Sequence, residues 1–277
     1  MVTTAHCEVT SPPPPGVECP LPDLAIEASD RPLRSDQYVF VETHAWWMGT
    51  FGRHSHLTEH RLRQWVPARA DREWVLDREL TGAQEWLLGS AEEAADEGFD
   101  LRDVAPVGRF RAVHGRFNDS DEAFCGVSTD APRGNWQAPT REFFARLPRD
   151  PAALHERLLG ENAGNWFGPF TAGVTVLRTC LVPADLRSAL YLAMARLPGV
   201  SAVEGVENVD GRQCLALVHD IGRTRTELMI SPTDGQFAGE RDTLRIDSRC
   251  GLPAGTVISS TAVRTAVADT EGHIPLP

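Results

Sequence analysis

The sequence predicts an α+β fold in which an antiparallel sheet packs against three to four helices. After residue 199, alternating segments are separated by Asp210-Gly211, Gly222 and Asp234-Gly235, which are hairpin signals. Before them, two helical segments open on Pro151 and Pro183, and proline is favoured at the start of a helix. With 277 residues, 42% of them hydrophobic, the chain is long enough to bury a full core.

The N-terminal half predicts a tail followed by strands. Residues 1–34 are rich in proline and predict an extended tail, so that residues 35–277 form one domain. Alternating apolar residues predict strands at 37–47, 60–66, 72–80 and 107–115. Gly49 and Gly52 mark a hairpin between the first two strands.

Capping residues set the starts of the predicted helices. Ser90 with Glu93, Thr140, and Asp150 with Pro151 are each suited to begin a helix. The predicted helices span residues 90–98, 140–147, 151–159, 171–182 and 184–197, and the later strands span 202–207, 214–220, 224–231, 236–244 and 256–269. The final strands are expected to pack as a meander on the 184–197 helix, with Leu186, Leu190 and Met194 buried.

Charge and hydropathy exclude several classes of partner. The net charge is −12 and the isoelectric point is near 5.2, which disfavours binding to nucleic acid or to an anionic membrane. No apolar run is long enough for a membrane helix, and residues 1–16 lack the pattern of a signal peptide. The protein is therefore expected either in the cytoplasm or, if a signal or anchor has been removed, outside it.

The six cysteines allow two interpretations. They are Cys7, Cys19, Cys125, Cys180, Cys214 and Cys250, with no CxxC spacing of a zinc ribbon or redox motif. In an exported protein, Cys7 and Cys19 are the candidate disulfide, and fewer than six free thiols are expected. Alternatively, Cys180 and Cys214 are small buried residues without a partner.

Histidines near the first hairpin are the candidate metal ligands. His44, His54, His56 and His60 lie close together in the sequence, and a hairpin centred near Gly52 would place His44 opposite His60. Neutral imidazoles suit Zn, Ni or Cu, and Glu42 or Glu59 offers an oxygen. The alternative is a set of solvated loop histidines. No cofactor motif is present, and we expect no cofactor.

Several longer segments resemble one uncharacterised family of actinobacterial envelope proteins. They include SDQYVFVET, TDAPRGNWQAPT, FFARLPRDPAALHERL, LVPADLRSALYLAMARLPGV and LPAGTVISSTAVRTAVAD. Members of that family carry a membrane helix, often after an anti-sigma-like segment. Their outer domain resembles the half-barrel of lipoprotein carriers and periplasmic sigma-regulator proteins. The present chain departs from the family upstream of Ser35, where that helix is expected.

The resemblance implies a curved antiparallel half-barrel that holds a ligand in its concave face. The expected function is a non-enzymatic binding protein of the envelope for an apolar small molecule, lipid or peptide, or for an envelope or regulatory protein. Five aromatic residues of the first three strands are the candidate lining: Phe40, Trp46, Trp47, Trp65 and Trp74. The alternative for these rings is ordinary core packing.

The rival function is a cofactor-independent enzyme of a specialised-metabolite pathway, recruited from the same family. The departure upstream of Ser35 favours it. Ser259, Ser260, His219 and Asp220 offer nucleophilic chemistry, but no GxSxG elbow surrounds either serine.

Overall fold

A computed structural model describes residues 26–115, 117, 134–165 and 168–276. These residues form one open antiparallel sheet of nine strands and five α-helices. The strands are β1 (Tyr38–Phe51), β2 (His54–Pro67), β3 (Glu73–Leu88), β4 (Gly108–Val113), β5 (Val200–Glu207), β6 (Gln213–Ile221), β7 (Thr224–Ile230), β8 (Phe237–Leu244) and β9 (Val257–Ala268). The helices are α1 (Ala91–Asp96), α2 (Arg141–Arg146), α3 (Pro151–Asn162), α4 (Gly168–Arg178) and α5 (Ala184–Ala195).

Two meanders join to make the sheet. Its strand order is β4-β3-β2-β1-β9-β8-β7-β6-β5, so the last strand returns to pair with the first. Val39 lies opposite Val267 and Val41 opposite Thr265 in this central pair. The sequence predicted the C-terminal meander and the hairpin of β1 and β2, while the pairing of β1 with β9 that unites the sheet is a finding of the structure.

The two faces of the sheet have different coverings. The face that carries Val41, Leu217 and Leu228 packs on helices α2 to α5, and we call it the helix face. The opposite face carries a smaller cluster around Phe40 and Trp65, and we call it the outer face. Because side chains alternate along a strand, odd residues of β1 and even residues of β2 share the helix face.

The predicted core stripe of α5 is confirmed. Leu186, Leu190 and Met194 are fully buried within the main core, and they pack with residues of β6 and β7. Three predicted caps are confirmed as well. The side chains of Ser90, Thr140 and Asp150 accept hydrogen bonds from backbone N–H groups in the first turns of α1, α2 and α3.

Strands β2 and β3 are longer than the sequence predicted. β2 begins at His54 rather than at residue 60, and β3 continues to Leu88 rather than to residue 80. The added part of β2 buries histidines, so it lacks the apolar alternation that identifies a strand. In β3, Thr81, Gly82 and Ala83 interrupt the pairing as a bulge, which hides the continuation.

The expected register of the first hairpin is wrong by one residue. Gly52, with φ of 56°, takes the first position of a two-residue turn, so Phe51 pairs with His54. His44 therefore lies opposite Arg61 instead of His60. A shift of one residue moves a side chain to the other face, so His44 and His60 lie on opposite faces of the sheet.

Residues 26–34 lie against the body of the protein, and we call them the strap. Ser29 N–H donates to the carbonyl of Asp234, and the Ser188 hydroxyl donates to the carbonyl of Ile26. The Arg187 guanidinium, 2% exposed, connects the strap to α5 and to the β7–β8 turn. Residues 1–25, which include the candidate pair Cys7 and Cys19, lie outside the described residues.

Within the described ranges, no helix is long and apolar enough to cross a membrane.

Candidate functional site

A cleft of about 640 Å³ lies between the strap and the helix face. Its floor is the β1–β9 pair, where Val39, Thr265 and Val267 point to the same side. The strap forms one wall, and residues 180–183 and 233–236 form the others. We call it the strap cleft. Its volume lies within the usual range for small-molecule sites, about 300 to 1,000 Å³.

Apolar and charged groups both line the strap cleft. Leu33, Leu181 and Val182 add to the apolar lining, the exposed Arg31 and Arg141 lie at the rim, and Asp30 and Asp234 line the cleft as well. Arg141 donates to the carbonyls of Pro67 and Ala68, at 2.8 and 2.6 Å, and neither arginine pairs with a carboxylate among the described residues. The site therefore offers an apolar trough bordered by two arginines and by the carboxylates of Asp30 and Asp234.

Two further lining residues constrain the chemistry of the strap cleft. The Oε1 atom of Gln236 is buried and has no hydrogen-bond partner within the described structure. A buried acceptor of this kind normally has a donor, and an N–H or O–H group that reached this atom would satisfy it. Burial raises the pKa of the Cys180 thiol to about 12, which leaves it protonated and unsuited to act as a nucleophile.

A second, smaller polar site lies on the outer face around His44. Its Nδ1 atom lies 2.6 Å from Oδ1 of Asp210, and its Nε2 atom lies 2.6 Å from Oε1 of Glu59. Asn208 holds the β5–β6 turn in place, because its side chain accepts from the N–H groups of Asp210 and Arg212. Both ring nitrogens of His44 are thus engaged, and neither is free to activate a substrate.

Charge pairs surround this site. Hydrogen bonds from Arg264 and Arg63 outweigh burial and hold the pKa of Glu42 below its ordinary value. The hydrogen bond from the Thr81 hydroxyl, with a smaller contribution from His44, outweighs burial and holds the pKa of Glu59 below its ordinary value. The adjoining cleft measures only about 140 Å³. The arrangement connects β1, β2 and the β5–β6 turn by electrostatics.

The other candidate metal ligands lie on the helix face of β2. His54, His56 and His60 are each at most 4% exposed, and they stand in a row with Thr58. Phe99 packs on His56, and Glu97 Oε2 lies 3.2 Å from His54 Nε2 without hydrogen-bonding alignment. In the part of the chain that the structure describes, no three His, Cys, Asp or Glu side chains are arranged to hold a metal ion.

The five candidate aromatic residues do not line one surface. Phe40 and Trp65 pack together on the outer face, with ring centroids 5.4 Å apart, and are 0% and 1% exposed. Trp46 shares that face but remains half-buried. Trp47 and Trp74 point to the helix face, where Trp47 packs on His60. The strap cleft lies elsewhere, and of its lining residues only Cys180 was singled out from the sequence as a candidate.

The buried histidines make stability depend on pH. Burial, with a smaller effect of Arg78, lowers the pKa of His60 to about 4, and burial also lowers the pKa of His56. Between pH 6.5 and 4 the unfolded chain gains a proton at His60 that the folded protein does not. We therefore expect unfolding free energy to fall over this range by up to about 3 kcal/mol on account of His60, and to be unaffected by it above pH 7.

Urea unfolding at several pH values, compared between the native chain and His60→Gln, measures this effect. The difference in unfolding free energy between the two should shrink or reverse as the pH falls from 6.5 to 4. If the difference in unfolding free energy stays constant from pH 6.5 to 4, the pKa of His60 is the same in the folded and unfolded states, which contradicts this account.

The thiols described by the structure fit the second interpretation of the cysteines. Cys180 and Cys214 are buried, Cys250 is exposed, and all three are free. Cys125, like Cys7 and Cys19, lies outside the described residues.

No protein-family model matches this chain, and no curated protein is significantly similar to it. The resemblance to envelope proteins stays a prediction from the quoted segments.

Proposed function

We propose that this protein is a non-enzymatic binding protein that holds a single-chain amphipathic lipid in the strap cleft. The proposal rests on one observation above all, a cleft of about 640 Å³ that combines an apolar floor with two exposed arginines that form no ion pair among the described residues. An acyl chain on Val39, Leu181 and Val267 would lose contact with water, which is favourable in proportion to the apolar area buried.

The rim suggests the chemistry of the head group. Arg31 and Arg141 have no carboxylate partner in the described residues, so an anionic group would gain charge-assisted hydrogen bonds there. Gln236 would accept a hydrogen bond from a hydroxyl or amide of the same head group. Two carboxylates also line the cleft: Asp30, whose charge is paired with Arg187 at 2.9 Å, and Asp234, whose Oδ1 accepts from the N–H of Gln236, so the anion would bind on the side of Arg31 and Arg141.

The predicted lineage supports the same function. An open antiparallel sheet with helices on one face is compatible with the curved half-barrel of lipoprotein carriers, and acyl chains are ligands of that class. In this proposal the protein works in the actinobacterial envelope, outside the cytoplasm.

Calorimetric titration with palmitoyl lysophosphatidylglycerol tests the proposal. Thr265→Trp places a ring on the cleft floor and is expected to weaken binding about tenfold or more. Ser259→Trp is the matched control, since Ser259 lies on the same strand and face, roughly 20 Å away. Equal affinity in both variants would contradict the location of the site.

A companion titration addresses the polar end of the site. Gln236→Met removes a buried acceptor without a partner, so it should leave the melting temperature unchanged or raise it. It should nevertheless lower the affinity for the lysolipid severalfold. Binding of a hydrophobic peptide in place of the lysolipid would reject the lipid assignment while keeping the strap cleft as a binding site.

A further inference from the structure

Buried polar atoms without a hydrogen-bond partner concentrate on one part of the sheet. Most of those in the described residues belong to a row on the helix face of β2 and β3: His54, His56, Thr58, His60, Arg78 and Gln84. Thr58 pairs directly with Gln84, and Arg78 is a diagonal neighbour of His60. Buried polar groups are nearly always bonded in native proteins, so a cluster of exceptions requires an explanation.

The members near the bulge of β3 are mainly donors. They are Nε of Arg78, Nε2 of Gln84, the hydroxyl of Thr58 and, in one tautomer, Nδ1 of His60. Thr58 and His60 are 0% and 4% exposed, so water in bulk does not satisfy them. The ring of Trp47 packs on His60, with centroids 4.8 Å apart, and excludes solvent from that side.

Arg78 carries a charge that the described structure does not neutralise. It makes no ion pair with any described carboxylate, although arginines on neighbouring strands do. Arg63 pairs with Glu42, and Arg109 forms a fork with Asp77 at 2.9 and 2.6 Å. A partly buried guanidinium without a counter-ion is costly, and an anion would offset that cost.

We propose that Thr58, His60, Arg78 and Gln84 form a buried binding site for a carboxylate or phosphate group. Each of the four donors would meet an oxygen, and Arg78 would supply the opposite charge. Arg78 and Gln84 are half-buried, and the exposed bulge at residues 81–83 lies between them along β3. This site is separate from the strap cleft, whose floor lies at the start of β1 and the end of β9.

Thermal unfolding and calorimetry with inorganic phosphate and with acetate test the site, with chloride at the same ionic strength as the reference. In the native chain, phosphate or acetate should raise the melting temperature above the chloride value, and the stronger of the two identifies the anion. Arg78→Met should lower the affinity for that anion about tenfold or more, yet leave the melting temperature without anion unchanged or higher. Arg109→Met, which removes a paired arginine, should keep the anion response.

NMR of the imidazole signals adds a local readout. The His60 signal should shift with the anion in the native chain and in Arg109→Met, and not in Arg78→Met. If Arg78→Met does not fold, Gln84→Leu replaces it in the experiment and should lower the affinity for the anion severalfold. The proposal is overturned if neither anion differs from chloride, if Arg78→Met or Gln84→Leu binds as the native chain does, or if neither variant folds.

Discussion

Replacing Arg187 with alanine is expected to lower the free energy of unfolding by about 3 to 5 kcal/mol. The guanidinium uses all its donors: Nε on the carbonyl of Gly235, Nη1 on Asp30 and Val182, and Nη2 on Ser29 and Asp234. Alanine would remove the donor of the Gly235, Val182 and Ser29 carbonyls and the charge partner of Asp30. The strap would then separate from α5, and the strap cleft would lose a wall.

Urea unfolding measures this loss, with Arg102→Ala as the control. Arg102 also forms a fork with a carboxylate, that of Asp100, but the pair is exposed. Exposed pairs contribute little, so this variant should unfold like the native chain within error. A similar small change in Arg187→Ala would show that the strap is not held as described.

Replacing Trp65 with alanine is also expected to cost about 3 to 5 kcal/mol of folding free energy. The ring is 1% exposed, packs on Phe40, and donates from Nε1 to the carbonyl of His273 at 2.8 Å. The change leaves a cavity and an unsatisfied carbonyl. Trp46→Ala on the same face should cost much less, because that ring is half-buried.

The Trp65 variant also decides between the two interpretations of the aromatic residues. As core, Trp65→Ala shifts the urea midpoint strongly and has no selective effect on lysolipid affinity in the fraction that remains folded. As a ligand contact, it would keep near-native stability and lose affinity. The second result would contradict the core assignment and favour a binding surface on the outer face.

The sequence predicts those features that depend on local signals. The side chains of Ser90, Thr140 and Asp150 identify helix starts because each bonds to a backbone group three residues away. Asp234-Gly235 identifies a turn because Gly235 adopts a φ of 62°. The stripe of Leu186, Leu190 and Met194 is visible because one helical face is apolar throughout.

Features that join distant parts of the chain were not predictable in this way. The register of the first hairpin depends on one turn residue, and it decides which residues of β2 share a face with His44. The contact of His44 with Asp210 connects positions 166 residues apart. The strap cleft combines segments near residues 30, 181, 234 and 266. The burial of Arg187 was not predictable either, because an arginine on a helix is normally expected to face solvent.

Native mass spectrometry of the protein purified from its natural host tests the central claim of lipid binding most directly. We expect the native chain to carry the additional mass of one single-chain lipid, released on denaturation, and Thr265→Trp prepared in the same way to lack it. A native chain whose mass is that of the polypeptide alone, or a Thr265→Trp variant that carries the lipid equally, would contradict binding in the strap cleft.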